Sequence, residues 1–116
     1  MSDFNFDSRL FRGVENYDDG DLTGEVLFEY HQRDNVVWGE FHGGRIAKGN
    51  LVAHMRDDGT LDMLWQYVNI DAHLVGGICI SRPEVLADGR YRVRESWSIT
   101  VGGDAMGTSA IEEVRE

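Results

Sequence analysis

The chain has 116 residues and a mass of 13.1 kDa, enough for one domain with its own hydrophobic core. It carries 21 Asp and Glu against 11 Lys and Arg, which gives a formal net charge of −10. That balance argues against sequence-independent binding to nucleic acid or anionic lipid, since both need clustered positive charge. The single cysteine, Cys79, excludes an intramolecular disulfide and a cysteine-based zinc site.

The sequence shows neither a leader pattern nor a membrane helix. Residues 1–8 contain Asp3 and Asp7 and lack the apolar run of a signal peptide. No stretch approaches the roughly 20 apolar residues of a membrane span. We therefore expect a cytoplasmic protein without membrane or nucleic-acid partners. The sequence predicts one domain over residues 1–116, in which residues 1–8 form a flexible or loosely packed segment.

Turn signals recur at intervals that suit strands joined by hairpins and are too short for helical hairpins. Asp-Gly and Gly-Gly supply the positive φ that tight hairpin turns need. In chain order the signals are Asp18-Asp19-Gly20, Arg33-Asp34-Asn35, Gly43-Gly44, Asp57-Asp58-Gly59, Asn69-Ile70-Asp71, Ala87-Asp88-Gly89 and Gly102-Gly103-Asp104.

Apolar and polar residues alternate between these turns, most regularly over residues 90–100. We predict eight strands, in chain order near 9–16, 22–32, 35–42, 45–56, 60–69, 72–82, 90–100 and 106–114. The fold class is all-β, an antiparallel up-and-down meander closed into a calycin-like barrel. Such a barrel holds side chains or one small ligand and has no edge strands. A two-sheet sandwich is the alternative, but its crossovers need longer connections.

Strand register decides which side chains face the barrel interior. Three arginines of residues 90–100 would be costly inside, so Glu95 and the apolar residues of its face must point inward. Pairing with residues 72–82 places Glu95 near Gly77. Continuing through the next turn points Gln66 and Leu64 inward, and on the following strand Leu51, Ala53 and Met55. A slip of one residue inverts every face beyond it, and Gly76-Gly77 is a predicted bulge.

Glu95 is the most informative residue, because an inward carboxylate between apolar neighbours is desolvated unless another group pairs with it. One interpretation is structural, with Arg12 as ion-pair partner or Tyr30 as hydrogen-bond donor. The other is a carboxylate that orients a ligand or acts as general base in a cavity. If Glu112 also faces inward, the two carboxylates would raise one pKa.

The predicted ligand-binding residues are therefore Tyr30, Gln66, Glu95, Trp97 and Glu112. Glu95 is also the one candidate catalytic residue. No metal site is predicted, because the four histidines lie on four different strands. No cofactor is predicted, because the sequence lacks a P-loop for a nucleotide. It also lacks the nucleophile elbow of serine hydrolases.

The same register leaves six apolar side chains on the outside of the barrel. A contiguous exposed apolar patch is more often an interface than bare surface. We therefore predict a homodimer through strands 60–69 and 72–82. The alternative is a slip of one residue, which would put these side chains in the core. They are Met63, Trp65, Tyr67, Leu74, Ile78 and Ile80.

Several short motifs resemble a known family when taken as a set over residues 9–114. They are Phe28-x-Tyr30-x-Gln32, Val37-Trp38-Gly39, Gly43-Gly44-x-Ile46-x-x-Gly49-x-Leu51, Leu61-Asp62-Met63, Asp88-Gly89-Arg90, Glu95-x-Trp97 and Ser109-x-Ile111-Glu112-Glu113. The set resembles a small bacterial β-barrel family of uncharacterised function, whose members are often labelled N-acetylglutamate synthase. The resemblance implies a calycin-type barrel, similar in outline to lipocalins and avidins. Its label implies acetyl transfer to glutamate.

The residues themselves favour binding over that chemistry. Acetyltransferases with this activity hold acetyl-CoA at a strand-to-helix turn with the motif Arg/Gln-x-x-Gly-x-Gly/Ala. The nearest run, residues 56–61, ends in Leu and is typical of a hairpin turn, without a helix N-terminus for a phosphate. The predicted function is non-catalytic binding of a small, largely apolar ligand in the barrel, self-association, or both. Acetyl transfer is the alternative.

Overall fold

Eight antiparallel strands form a closed barrel in the computed structural model, which describes residues 2–17 and 20–115. Each strand pairs with its neighbours in sequence, and the last strand pairs with the first. The predicted all-β meander is therefore confirmed. No helix long and apolar enough to cross a bilayer occurs in the described part of the chain. The strands are β1 (Arg9–Glu15), β2 (Leu27–Arg33), β3 (Val36–Gly43), β4 (Ile46–Met55), β5 (Leu61–Asn69), β6 (Leu74–Val85), β7 (Tyr91–Val101) and β8 (Met106–Glu113).

The loop between β1 and β2 is longer than predicted, since β2 begins at Leu27 and not near residue 22. Asp18 and Asp19 of the first predicted turn lie outside the described residues, as does Met1 of the N-terminal segment. Buried and exposed residues alternate along the strands, most regularly in β3 and β4. This alternation directs one set of side chains from each of the eight strands into the barrel.

Three hairpins share one loop type, which fixes the register of the middle of the barrel. The loops span residues 56–60, 69–73 and 86–90. In each, the N–H of the first residue donates to the carbonyl of the last across three loop residues. The third loop residue has positive φ, at 91° for Gly59, 65° for Ala72 and 89° for Gly89. Such loops combine a type I turn with a left-handed residue, and with three loop residues odd-numbered positions pair with odd-numbered ones.

This loop type corrects the predicted faces of β5. We expected Gln66 and Leu64 to point inward, but the structure turns Met63, Trp65 and Tyr67 inward. The predicted pairing across the 69–72 turn was one residue out, so every side chain of β5 was assigned to the wrong face. A left-handed loop position is normally marked by Gly or Asn, and Ala72 carries no such mark.

A second error of the same size cancelled the first. The predicted pairing across residues 57–59 was also one residue out, and this reversed the faces again. Leu51, Ala53 and Met55 of β4 are therefore buried as predicted. The faces of β4 agree with the prediction although the pairing that led to them does not.

Strand β6 continues through Pro83 to Val85, beyond its predicted end. After Ser81 it pairs only with β7, so the missing N–H of Pro83 can face the side without a partner strand. The longer strand shifts the β6–β7 pairing by four residues, and Glu95 pairs with Ser81 instead of Gly77. The predicted bulge at Gly76-Gly77 is confirmed.

The N-terminal segment closes one end of the barrel. Phe6 is 0% exposed, and its N–H donates to the side-chain oxygen of Gln32 at 2.9 Å. Arg9 covers the rim, with its guanidinium 3.8 Å from the centre of the Tyr91 ring and an ion pair to Glu113. Within this segment Phe4 and Phe6 pack against the core, whereas Asp3, Asn5, Asp7 and Ser8 are exposed. The Phe6 ring contacts three other aromatic rings, those of Phe11, Tyr30 and Tyr91.

Candidate functional site

The half of the barrel away from the N-terminal segment contains a cavity of about 210 Å³. Its outer part is lined by the loop between β1 and β2, and its inner part by the strands. Seven of its seventeen lining residues are aromatic. Mostly apolar concave sites with a few polar groups are typical of small-molecule binding. The aromatic residues are Tyr17, Phe28, Tyr30, Phe41, Trp65, Tyr67 and Trp97. The polar ones include Asn16, Asp21, Glu95 and Ser109.

Inward glycines make room for the aromatic rings. Phe41 of β3 pairs directly with Gly49 of β4, and Trp97 of β7 with Gly107 of β8. A Cβ atom at Gly49 would lie 2.4 Å from the Phe41 ring, and one at Gly107 would lie 2.9 Å from the Trp97 ring. Because each large residue lies over a small one on the next strand, the rings stay against the wall and leave the centre open.

Glu95 places a carboxylate in the inner wall of this cavity, with the residue only 7% exposed. Its Oε1 accepts two hydrogen bonds, from the Tyr17 hydroxyl at 2.7 Å and the Ser109 hydroxyl at 2.8 Å. Its Oε2 has no hydrogen-bond partner among the described residues. Burial raises the pKa of Glu95, and the two hydroxyl donors offset part of that rise. One oxygen is thus held by the protein and the other is available to a ligand.

These two hydroxyls replace the partners expected from the sequence. Arg12 lies exposed on the outer face of β1, so the predicted ion pair with Glu95 is wrong. Tyr30 lines the cavity but is not among the hydrogen-bond donors to Glu95. Arg12 follows the inward Phe11 directly, and adjacent residues of a strand point to opposite faces.

Tyr17 reaches Glu95 from the loop that follows β1. Its ring lies over Gly13, where a Cβ atom would be 2.1 Å away, and meets the Phe28 ring edge-on at 6.0 Å. Burial, and then the charge of Glu95, raises the pKa of Tyr17. The hydroxyl therefore stays protonated and donates to the carboxylate.

Asp21 fastens the far end of the same loop to β5. Its carboxylate accepts hydrogen bonds from Arg45 at 3.0 Å, from the Tyr67 hydroxyl at 3.0 Å and from the Asn69 amide at 3.2 Å. Burial by itself raises the pKa of Asp21, but these donors outweigh it and hold the pKa below its usual value. Tyr17 and Asp21 together hold the loop across the mouth of the cavity.

Comparison with protein families agrees with this architecture. A family model described as avidin-like protein matches residues 4–114, from the N-terminal segment to the end of β8. The chain belongs to the avidin-like family. No curated protein and no solved structure gives a significant match. The calycin-like part of the sequence resemblance is thus supported, whereas the N-acetylglutamate synthase label finds no support.

The avidin-like barrel brings three of the five predicted ligand-binding residues to the cavity. Tyr30, Glu95 and Trp97 line it. Gln66 lies on the outer surface of β5, where its inward prediction failed because of the loop at Ala72. Glu112 also lies on the outside, because adjacent strand residues face opposite sides and its neighbour Ile111 is fully buried inside the barrel.

Both outward residues have surface partners. The Gln66 amide donates to the Asn50 side chain at 3.1 Å. Glu112 is bound by Arg92 and lies 3.5 Å from Arg90. Neither side chain contributes to the cavity, and Glu112 does not share a proton with Glu95.

The six apolar residues predicted to form a dimer interface also divide between the inside and the outside of the barrel. Met63, Trp65 and Tyr67 line the cavity, so their assignment to a dimer interface is wrong. Leu74 and Ile78 are exposed and Ile80 is half-buried. The homodimer itself stays a prediction. An apolar row does cross this side of the avidin-like barrel through directly paired residues, which are Trp38, Val52, Leu64 and Ile78.

Cys79 lies in the cavity wall but its thiol is not activated. Its Sγ lies 3.3 Å from the Ser81 hydroxyl. Burial, and then the charge of Glu95, raises the pKa of Cys79 to about 12, so the thiol is protonated at neutral pH. With 5% of its surface exposed, Cys79 behaves as a small buried apolar residue.

Proposed function

We propose that this avidin-like protein binds a small, mostly apolar ligand in its barrel and does not transform it. The observation that carries the proposal is a partly open aromatic cavity with one unpartnered carboxylate oxygen in its wall. Eight-stranded barrels have room for one small ligand, and the complex of streptavidin with biotin is among the tightest known.

The size and the walls of the cavity indicate what fits. Its volume of about 210 Å³ lies below the roughly 300–1,000 Å³ of pockets for drug-sized molecules. The rings of Trp65 and Tyr67 lie nearly parallel, with 6.0 Å between their centres and 12° between their planes. A ligand with one ring or a short branched chain matches these dimensions.

Binding without chemistry is favoured by the state of the reactive groups. The Cys79 thiol is protonated, and the raised pKa of Tyr17 prevents that hydroxyl from acting as a base. The described lining residues include no basic side chain, which the phosphates of acetyl-CoA would need. Nothing in the cavity therefore supports acetyl transfer.

Tryptophan fluorescence tests the proposal, because Trp65 and Trp97 line the cavity whereas Trp38 lies on the outside. A Trp38→Phe variant would remove the outer signal. We expect saturable quenching or a spectral shift by at least one member of a panel containing biotin and benzyl compounds of charge −1, 0 and +1.

Two matched substitutions locate the binding. Leu51 lines the cavity, so Leu51→Phe fills part of it and should weaken binding at least about tenfold. Leu64 is 60% exposed on the neighbouring strand, so Leu64→Phe should leave binding unchanged. The proposal fails if no compound binds, or if Leu51→Phe binds every compound as tightly as the unmodified chain.

A further inference from the structure

The charged groups of the cavity are of one sign. Among the described residues that line it, the charged ones are Glu95 and Asp21, and no Lys, Arg or His lines it. Arg45, which binds the lining residue Asp21, is not itself a lining residue and also pairs with Asp71. An anionic ligand would therefore meet a buried carboxylate and find no counter-charge in the described wall.

The aromatic side chains of the cavity wall also favour a positively charged ligand over a negatively charged one. The faces of Trp, Tyr and Phe rings carry negative electrostatic potential and attract cations, Trp most strongly. Seven aromatic side chains line this cavity, including Trp65 and Trp97. Removal from water strengthens the attraction, and aromatic cages are a known means of holding organic cations.

Glu95 supplies a fixed anchor inside this cage. It is more than nine-tenths buried, and two hydroxyl donors on Oε1 fix its orientation. The Oε2 atom lacks a hydrogen-bond partner among the described residues, and Glu95 lines the cavity. A carboxylate oxygen in such a wall is stabilised best by an N–H donor that carries positive charge. A neutral apolar ligand would fill the cage but leave this oxygen unpaired.

We infer that the ligand is a small protonated amine with an apolar substituent, its ammonium N–H on Oε2 of Glu95 and its apolar part against the Trp65 and Trp97 rings. This inference rests on the proposed function and specifies the charge and the donor of its ligand.

Three near-isosteric probes that differ in charge test the inference: benzylamine, benzyl alcohol and benzoate. Calorimetric titration of the unmodified chain at neutral pH and constant ionic strength gives the affinity order directly. We expect benzylamine to bind at least about tenfold more tightly than benzyl alcohol, and benzoate to bind most weakly. This comparison needs no variant.

Two substitutions assign the preference to Glu95. Glu95→Gln keeps the shape and an Oε1 acceptor for Tyr17 and Ser109 but removes the charge, so benzylamine should lose its advantage while benzyl alcohol still binds. Glu40→Gln removes an exposed carboxylate from the outer face of β3 and should leave the order unchanged.

The outcomes separate this inference from the proposed function. Binding of benzyl alcohol or benzoate as tightly as benzylamine would overturn the inference and leave small-ligand binding intact. A benzylamine preference that survives Glu95→Gln would also overturn it, since the anchor would then lie elsewhere. If no compound of the panel binds, both the inference and the proposed function fail.

Discussion

Aromatic side chains close both ends of the barrel, but the two ends are held by different forces. At the N-terminal end, Phe6 is fully buried among other rings and leaves no accessible surface. At the opposite end, Tyr17 inserts from a loop, and its hydroxyl bonds to Glu95 across a cavity wall. The first end is a plug that depends on apolar packing. The second is a cover held by hydrogen bonds.

The difference follows from what each segment must do. Burial of a large apolar ring stabilises the folded state strongly, and the hydrophobic effect does not depend on bond direction. The plug therefore helps to hold the barrel closed. The cover has two polar anchors, at Tyr17 and Asp21, and its described residues, 16–17 and 20–26, form no strand. Loops outside the hydrogen-bonded strands open at lower free-energy cost than core strands. We therefore expect the proposed ligand to enter and leave at the end of the barrel that carries the cover.

Removal of the plug should give the largest loss of stability. Phe6→Ala deletes a fully buried ring, and we expect the free energy of unfolding to fall by about 3–5 kcal/mol in urea denaturation. Asn5→Ala, an exposed neighbour on the same segment, serves as control and should cost much less. A loss below about 1 kcal/mol for Phe6→Ala would show that the plug does not stabilise the barrel.

Weakening the cover should have an intermediate effect. Asp21→Asn removes the charge that Arg45 binds and is expected to cost about 1–2 kcal/mol, because the Asp21 side chain is 17% exposed and partly screened. Its pKa is lowered in the folded state, so its contribution is present above the usual carboxyl pKa. That contribution is lost as the pH falls through the lower folded value.

Unfolding curves at several pH values check this sign. The difference between Asp21→Asn and the unmodified chain should be full at pH 7 and should narrow as the solution becomes strongly acidic. Asp104→Asn, in an exposed turn, is the control for loss of one carboxylate. A difference that does not depend on pH would contradict a role for the charge of Asp21.

Local patterns were sufficient to predict the sheet. Alternation and turn dipeptides are encoded within a few residues, so eight strands and their closure could be derived without long-range information. The inward direction of Glu95 followed from the same alternation and is correct. The faces of β5 did not follow, because a single left-handed alanine sets the pairing of the hairpin at residues 69–73.

Local sequence patterns could not predict the hydrogen-bond partners of Glu95. Tyr17 is separated from it by 78 residues in sequence and stands in a loop, where periodicity gives no direction. Ser109 is on the neighbouring strand, yet its role depends on the β7–β8 register, in which it pairs directly with Glu95. An isolated aromatic residue in a polar turn, such as Tyr17, was the one available signal that the loop folds inward.

The smallest effect on the free energy of unfolding is expected for Glu95, to which the Tyr17 hydroxyl of the cover bonds. Here the substitution should stabilise the protein. Burial raises the pKa of Glu95 in the folded state, so between the unfolded and folded values the native protein binds more protons than the unfolded chain. Stability therefore falls as the pH rises through this window. Gln has the same shape and does not ionise, so Glu95→Gln should abolish this fall.

We accordingly expect Glu95→Gln without ligand to match the unmodified chain in weak acid and to exceed it at pH 8, by an amount on the order of 1 kcal/mol. Thermal unfolding across this pH range measures the difference. The groups that face Glu95 do not titrate there, since Tyr17, Tyr30 and Cys79 all have raised pKa values. If Glu95→Gln were instead less stable than the unmodified chain at pH 8 but equal to it in weak acid, the ionised carboxylate would stabilise the fold, and the cavity would not be holding it ready for a ligand.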